Sequence, residues 1–189
     1  MQIQTNRAPL EQKARQSLLN GGDEFIVMSL KEWLHVVAAT SEDQSFQYQV
    51  YASTRVDEID GWGWGEAQQE AFLRMQFAMQ QQAYQFQFPK AHYQLIVADT
   101  KRVGHLLIDR TEHELHLVDI ALLREYRNKG IGTFVMKKLQ DEAAQQGKPL
   151  KLQVMKLDVA SHLLYERLGF ACTGEYGMHI EMEWSKRGS

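Results

Sequence analysis

The sequence predicts a mixed α/β (α+β) domain with one central sheet of about seven strands and about four helices, preceded by a short helical extension. Three observations carry this prediction. Short runs rich in β-branched and aromatic residues alternate with stretches of helical periodicity, three extended runs follow one another between residues 91 and 123, and a strand, a helix and a further strand come next. A chain of 189 residues is long enough to bury about two thirds or more of its unfolded surface in one core. No internal repeat and no Pro/Ser-rich linker divides it. Residues 1–30 read as an N-terminal extension and residues 31–186 as the domain.

Taken in order, Pro9 suits the first turn of a short polar helix that runs to Leu19 and is stopped by Asn20, Gly21 and Gly22. "WLHVVAA" at 33–39 has the content of a buried strand, and Ser41 with Gln44 gives a capping-box signal for a helix to about Arg55. "GWGWG" at 61–65 breaks the chain. Phe72, Met75, Met79, Ala83 and Phe86 then recur at helical spacing up to Pro89 and read as a core stripe, while Gln68, Gln69, Gln76, Gln80, Gln81 and Gln82 read as a neutral solvated face, with a binding surface as the alternative. "AHYQLIVAD", "RVGHLLIDR" and "ELHLVDIALL" form an expected meander of antiparallel strands, turning near Thr100 and Lys101 and again at Thr111, Glu112 and His113. A helix follows to about Gln146 with Ile131, Val135, Leu139 and Ala143 on one face, ended by Gly147 and Pro149. "LKLQVMK" at 150–156 is a fifth strand, expected to lie parallel to the fourth through a right-handed crossover. A helix from Asp158 to about Leu168 stops at Gly169, and "FACTGEY" and "MHIEMEW" complete the sheet.

Composition narrows the function classes. The net charge of -3, from 21 Lys and Arg against 24 Asp and Glu, gives no global attraction to nucleic acid or to an acidic membrane, so any anion site is local. A single cysteine, Cys172, excludes an internal disulfide and a multi-cysteine metal site, fits a reducing compartment and reads as a packing residue. With no apolar signal core at the N-terminus and no 18 consecutive apolar residues, the expectation is a cytoplasmic protein without a membrane partner.

The most informative stretch is "REYRNKGIGTFVMKKL", residues 124–139, where Gly130 and Gly132 stand at the head of a helix behind a basic cluster. The first N–H groups of a helix lack partners and carry the positive end of its dipole. Glycine admits a bulky phosphate to that backbone, and Arg127 and Lys129, with Arg124, add positive charge. A plain strand-to-helix turn is the alternative. A dinucleotide fingerprint needs glycine where Val135 stands, and the Gly-Lys-Ser/Thr of a P-loop is absent.

"RNKGIG" fits the Arg/Gln-x-x-Gly-x-Gly/Ala signature of the GNAT superfamily of N-acetyltransferases. About 30 residues later "DVASHLLYERLGF" resembles its Asn-x-x-Ala-x-x-Leu-Tyr-x-x-x-Gly-Phe pattern, with Leu164, Tyr165, Gly169 and Phe170 in register. The resemblance also covers the order of elements from about residue 33 to 184. It implies a GNAT-like acyl-CoA N-acyltransferase fold, acetyl-CoA as cosubstrate, no metal, and transfer of acetyl to a primary amine by direct attack in a ternary complex. Residues 127–133 (Arg127, Asn128, Lys129, Gly130, Ile131, Gly132 and Thr133) would hold the diphosphate. Backbone groups of Ile120, Ala121 and Leu122 would lie beside the acetyl and pantetheine arms. Asp158 and Ser161 depart from the pattern, and Asp158 would either contact the cofactor or cap its own helix.

An alkyl amine with a pKa of ~10.4 is almost wholly protonated at neutral pH, so a base is needed. The resemblance points to an acidic residue on the fourth strand, here Glu114 or His116, with Asp119 behind them. His116 has the better ordinary pKa, and Glu114 would need raising by burial. Tyr165 matches the tyrosine that protonates or hydrogen-bonds the departing thiolate, a hydrogen bond being the easier of the two. Trp62 and Trp64 lie in a region that walls the acceptor site in this superfamily, and read either as packing residues or as an aromatic lid. His113, Glu114 and His116 lack a fourth metal ligand. The acceptor, a small molecule or a protein amino group, is not coded in the sequence, nor is pairing into a homodimer. A catalytically silent acyl-CoA-binding module, or an acyltransferase with another acyl group or acceptor, is the alternative.

Overall fold

The computed structural model describes residues 33–186, so the predicted N-terminal helix and the extension at 1–30 lie outside the described residues. The elements are β1 (Leu34–Ala38), α1 (Gln44–Ile59), α2 (Glu66–Gln87), β2 (His92–Ala98), β3 (Lys101–Arg110), β4 (Leu115–Leu122), α3 (Ile131–Gln146), β5 (Leu150–Met155), α4 (Val159–Arg167), β6 (Ala171–Tyr176) and β7 (His179–Trp184). The strands make one sheet in the order β1-β2-β3-β4-β5-β7-β6. All pairs are antiparallel except β4 with β5, the pair joined through α3 as the crossover rule requires. The predicted mixed sheet with four helices is the observed one.

β3 is the pivot, because its residues Val103 to Asp109 are buried on both faces. On one face Leu106 and Ile108 join Leu115 and Leu117 of β4 beneath Ile131, Phe134, Val135 and Leu139 of α3. The α3 stripe falls where its periodicity predicted, and each such large aliphatic side chain stabilises the fold by about 1.5–3 kcal/mol on burial. The opposite face carries α1 and α2. Phe46 and Val50 of α1 pack with Leu95 of β2, and Tyr48 and Tyr51 pack against Leu73 and Phe77 of α2.

Three expectations are corrected. The start of the first helix is organised by Thr40 and Asp43 instead of Ser41 and Gln44. The Thr40 N–H donates to Asp43 Oδ2 at 2.8 Å, which holds that carboxyl below its ordinary value, and Arg102 Nη1 donates to Asp43 Oδ1 at 2.7 Å. Helix α1 then runs past Arg55 to Ile59. On α2 the predicted apolar stripe faces outward: Met75, Met79 and Phe86 are exposed, Phe86 by 89%. The inward line is Leu73, Phe77, Gln80, Gln81 and Tyr84, a semi-polar face because it borders a cavity. Cys172 is exposed, so it is not a core packing residue.

Candidate active site

β4 and β5 pair only from Leu115 with Leu150 to Leu117 with Leu152. β4 continues to Leu122 and β5 to Met155, so a wedge opens between them with the main chain of residues 118–122 along one side. A bulge lies at the start of this wedge. β3 sets Ile108 opposite Leu117 but Leu107 opposite Asp119, leaving Val118 as the extra residue. Strict alternation would send Asp119 to the face opposite His116, whereas the bulge brings both to the α1/α2 face.

Past β4 the chain makes a short turn at Arg124–Tyr126 and enters α3 through two left-handed residues, Asn128 at φ 57° and Gly130 at φ 78°. The Gly130 carbonyl accepts the first helical hydrogen bond, from the Phe134 N–H at 2.9 Å. The N–H groups of Ile131, Gly132 and Thr133 have no partner within the helix. A Cβ placed on Gly132 would meet nothing within 4 Å, so the side of this first turn at Gly132 is open. Lys129 is exposed beside the turn, its Nζ 5.7 Å from the Tyr126 ring centre. Arg127 is turned inward: its Nε donates to the Leu122 carbonyl at 3.0 Å and its Nη2 to the Ser53 carbonyl at 3.1 Å. It ties the end of β4 to α1 and leaves the expected outward charge to Lys129.

A cavity of about 180 Å³ lies between α1, α2 and the sheet, lined by Tyr51, Thr54, Arg55, Gln80, His105, Asp119, Ile120 and Ala121. The buried His105 Nε2 lies 3.2 Å from Asp119 Oδ2. An ionised carboxylate only accepts, so Nε2 carries the proton and donates, and Nδ1 is left as a buried atom without a partner. The Tyr93 ring stands edge-on to the imidazole at 5.4 Å, its hydroxyl accepting from Gln81 Nε2 at 2.8 Å. Burial holds the Tyr84 and Tyr93 hydroxyls well above their ordinary pKa, and the Asp119 charge adds to this in both. Asp119 is oriented by His105, with the Arg55 guanidinium on the same cavity wall.

Tyr165 enters from the other face on α4, buried against Phe170. Burial first, then the charges of Asp158 and Asp119, push its hydroxyl up to about 12. Asp158 is committed to α4, its side chain accepting from the Ser161 N–H at 3.0 Å.

Glu114 and His116 lie at the paired end of β4, away from the cavity lining. Glu114 is one residue ahead of the strand, with its carboxylate 2.8 Å from Lys151 Nζ. His116 Nδ1 is 3.8 Å from Glu114, its ring 4.9 Å from that of Phe88, and burial holds it below its ordinary pKa. Trp62 and Trp64 pack edge-on with Phe72 at 5.0 to 5.6 Å and do not line the cavity. Sequence reasoning missed His105, Arg55, Tyr51 and Thr54, and read Gln80 first as part of a solvated face. The spacing from Leu73 through Phe77 and Gln80 to Tyr84 was the one available signal. Among the described residues no three His, Cys, Asp or Glu side chains are grouped to hold a metal ion, and no helix is long and apolar enough to cross a membrane.

A model of the acetyltransferase (GNAT) family matches residues 53–170. No curated protein matches in sequence. Among solved structures the chain is similar to the PaiA N-acetyltransferase of Thermoplasma acidophilum, determined in complex with coenzyme A (TM-score 0.62, 16% identity, 81% of this chain and 99% of that one). It is similar to a Pyrococcus horikoshii protein (0.60, 17%, 82% and 99%) and to an acetyltransferase of Thermus thermophilus (0.59, 13%, 82% and 97%). At these identities the likeness bears on the fold.

Proposed function

This chain belongs to the GNAT acetyltransferase family, and from that premise we propose that it transfers the acetyl group of acetyl-CoA to a primary amine by direct attack in a ternary complex. One observation carries the reading: Ile120 and Ala121 border the β4/β5 wedge and also line the cavity that holds Asp119. A thioester in the wedge and an amine in the cavity would meet at these two residues.

When bound, acetyl-CoA supplies an activated acyl carbon. The N–H groups of Ile131, Gly132 and Thr133, with Asn128 and Lys129 beside them, hold the diphosphate, and left-handed Gly130 aims the first turn at it. The main chain of Ile120, Ala121 and Leu122, unpaired on its β5 side, offers fixed dipoles to the pantetheine arm and to the charge that grows on the carbonyl oxygen. Asp119, positioned by His105, anchors the ammonium by a charge-assisted hydrogen bond. The ammonium first gives one proton to Asp119, directly or through water, which frees the lone pair that attacks. Once the N–C bond has formed the nitrogen is far more acidic and gives up a second proton, matching the one gained by the leaving sulfur. Tyr165, with a hydroxyl near 12 against about 8.5 for a thiol, serves the leaving sulfur as a hydrogen-bond donor and not as a full proton source. The base first expected at Glu114 or His116 is therefore proposed at Asp119.

Calorimetry with acetyl-CoA and with CoA, followed by a thiol assay over a panel of amines, tests the reading. Heat from both nucleotides and CoA release with at least one amine are expected. No heat from folded protein would remove the reading, and binding without release from any amine would leave a silent acyl-CoA module.

A further inference from the structure

The cavity presents two opposite charges to one small space. Asp119 supplies the negative charge and has His105 as its hydrogen-bond partner. Arg55 supplies the positive one. Its guanidinium lies over the Tyr51 ring, Cζ 4.0 Å from the ring centre, and Nη1 donates to Thr54 Oγ1 at 2.8 Å. These contacts, with a hydrogen bond to the Tyr51 side chain, fix the plane of the guanidinium and leave part of its five-donor fork for another partner. Among the described residues no carboxylate forms an ion pair with it. A half-buried, stacked guanidinium without a counter-ion is arranged to receive an oxyanion. Burial dominates the raised pKa of Tyr84, but Asp119 adds to it and Arg55 opposes it, so both charges reach the same hydroxyl.

We infer that the acceptor is a small amino carboxylic acid, its ammonium held by Asp119 and its carboxylate by Arg55. This rests on the acetyl-transfer reading above. The volume agrees: about 180 Å³ is below the roughly 300–1,000 Å³ of sites that enclose drug-sized ligands, so the acceptor head is small. The charge pattern selects against linear diamines and polyamines, whose second ammonium would face the guanidinium. In the reaction the amine nitrogen bonds to the acetyl carbon as the C–S bond breaks. The ammonium gives up two protons, one to Asp119 or water before the attack and a second once the N–C bond has formed. The sulfur regains one of them, giving an N-acetyl amino acid, CoA thiol and one proton released to solvent.

The test uses matched pairs that differ only in the carboxylate, such as alanine with ethylamine, phenylalanine with phenethylamine and lysine with cadaverine. CoA release is followed for the full chain and for Arg55→Gln and Arg55→Lys. The carboxylate-bearing member of at least one pair is expected to show about ten- to a hundredfold higher kcat/KM. Arg55→Gln should reduce that ratio to within about threefold, chiefly through KM, and Arg55→Lys should keep part of it. Equal or better turnover of every decarboxylated amine, or a ratio unchanged in Arg55→Gln, would overturn the inference while leaving acetyl transfer intact. Absence of CoA release from every member, in protein that binds acetyl-CoA, would overturn both.

Discussion

Gly104 of β3 lies opposite Leu122 in the register, where β4 runs along the wedge. A Cβ built on it would stand 2.4 Å from the Ala121 carbonyl oxygen, 2.6 Å from Leu122 Cδ2 and 3.1 Å from Leu122 Cα. Ordinary contact begins near 3.4 Å, so Gly104→Ala leaves the carbonyl about 1 Å too close. That oxygen belongs to the main chain and cannot rotate away, so β4 has to move. Overpacking of this kind costs about 1–3 kcal/mol. For a chain of this size each kcal/mol is worth about 2–4 °C, which predicts a fall in Tm of about 2–12 °C. The displaced segment is the stretch of β4 whose other edge is proposed to border the thioester, and a shift of about 1 Å there should lower kcat/KM by about a hundredfold. Thermal melts by circular dichroism and the CoA-release assay measure the two effects, with calorimetry checking that the variant still binds CoA. A Tm within about 1 °C of the parent together with unchanged kcat/KM would refute the claim that close β3/β4 approach shapes the site.

Gly132→Ala is the converse case: its Cβ enters open space, so a helical alanine should raise the Tm slightly, by about 0.5–1 kcal/mol of stability, while weakening CoA about tenfold or more in calorimetry by occupying the anion's place. Asp119→Asn should lower kcat/KM by about 10²–10⁴ with the affinity for CoA unchanged, whereas Glu114→Gln and His116→Gln should stay within a few-fold, a contrast read directly from initial rates. His116 is held below its ordinary pKa by burial, so the folded state binds fewer protons than the unfolded one below about pH 6.5. The stability it contributes is present above that pH and is lost as pH falls through the folded pKa. Urea midpoints compared at pH 7.5 and 5.0 should therefore drop less in His116→Gln than in the parent.

Much of this molecule is local and was therefore readable along the chain. Val135, Leu139 and Ala143 mark the buried face of α3 at the 3.6-residue period, and the strand runs declare themselves by β-branched content. Gly130 is glycine at a left-handed turn, and Asp158 is an acidic cap, both settled by the backbone around them. The α2 stripe misled because Met75, Met79 and Phe86 are apolar but exposed, while the inward face is partly polar to suit the cavity. Periodicity finds apolar faces and cannot tell a lining of glutamine and tyrosine from a solvated one. The cavity position of Asp119 was hidden for a different reason. Regular alternation links Glu114 with His116, and one extra residue at Val118 ends that regularity without any mark of its own in the sequence.

The sequence by itself therefore determined the order of the elements, the glycine turn ahead of α3 and the family motifs, since each depends on residues within a few positions of one another. Only the tertiary structure decided that Asp119, His105 and Arg55 share one cavity beside the wedge, because β4, β3 and α1 bring them together through strand register, a bulge and helix packing. Those are long-range contacts set by the whole core.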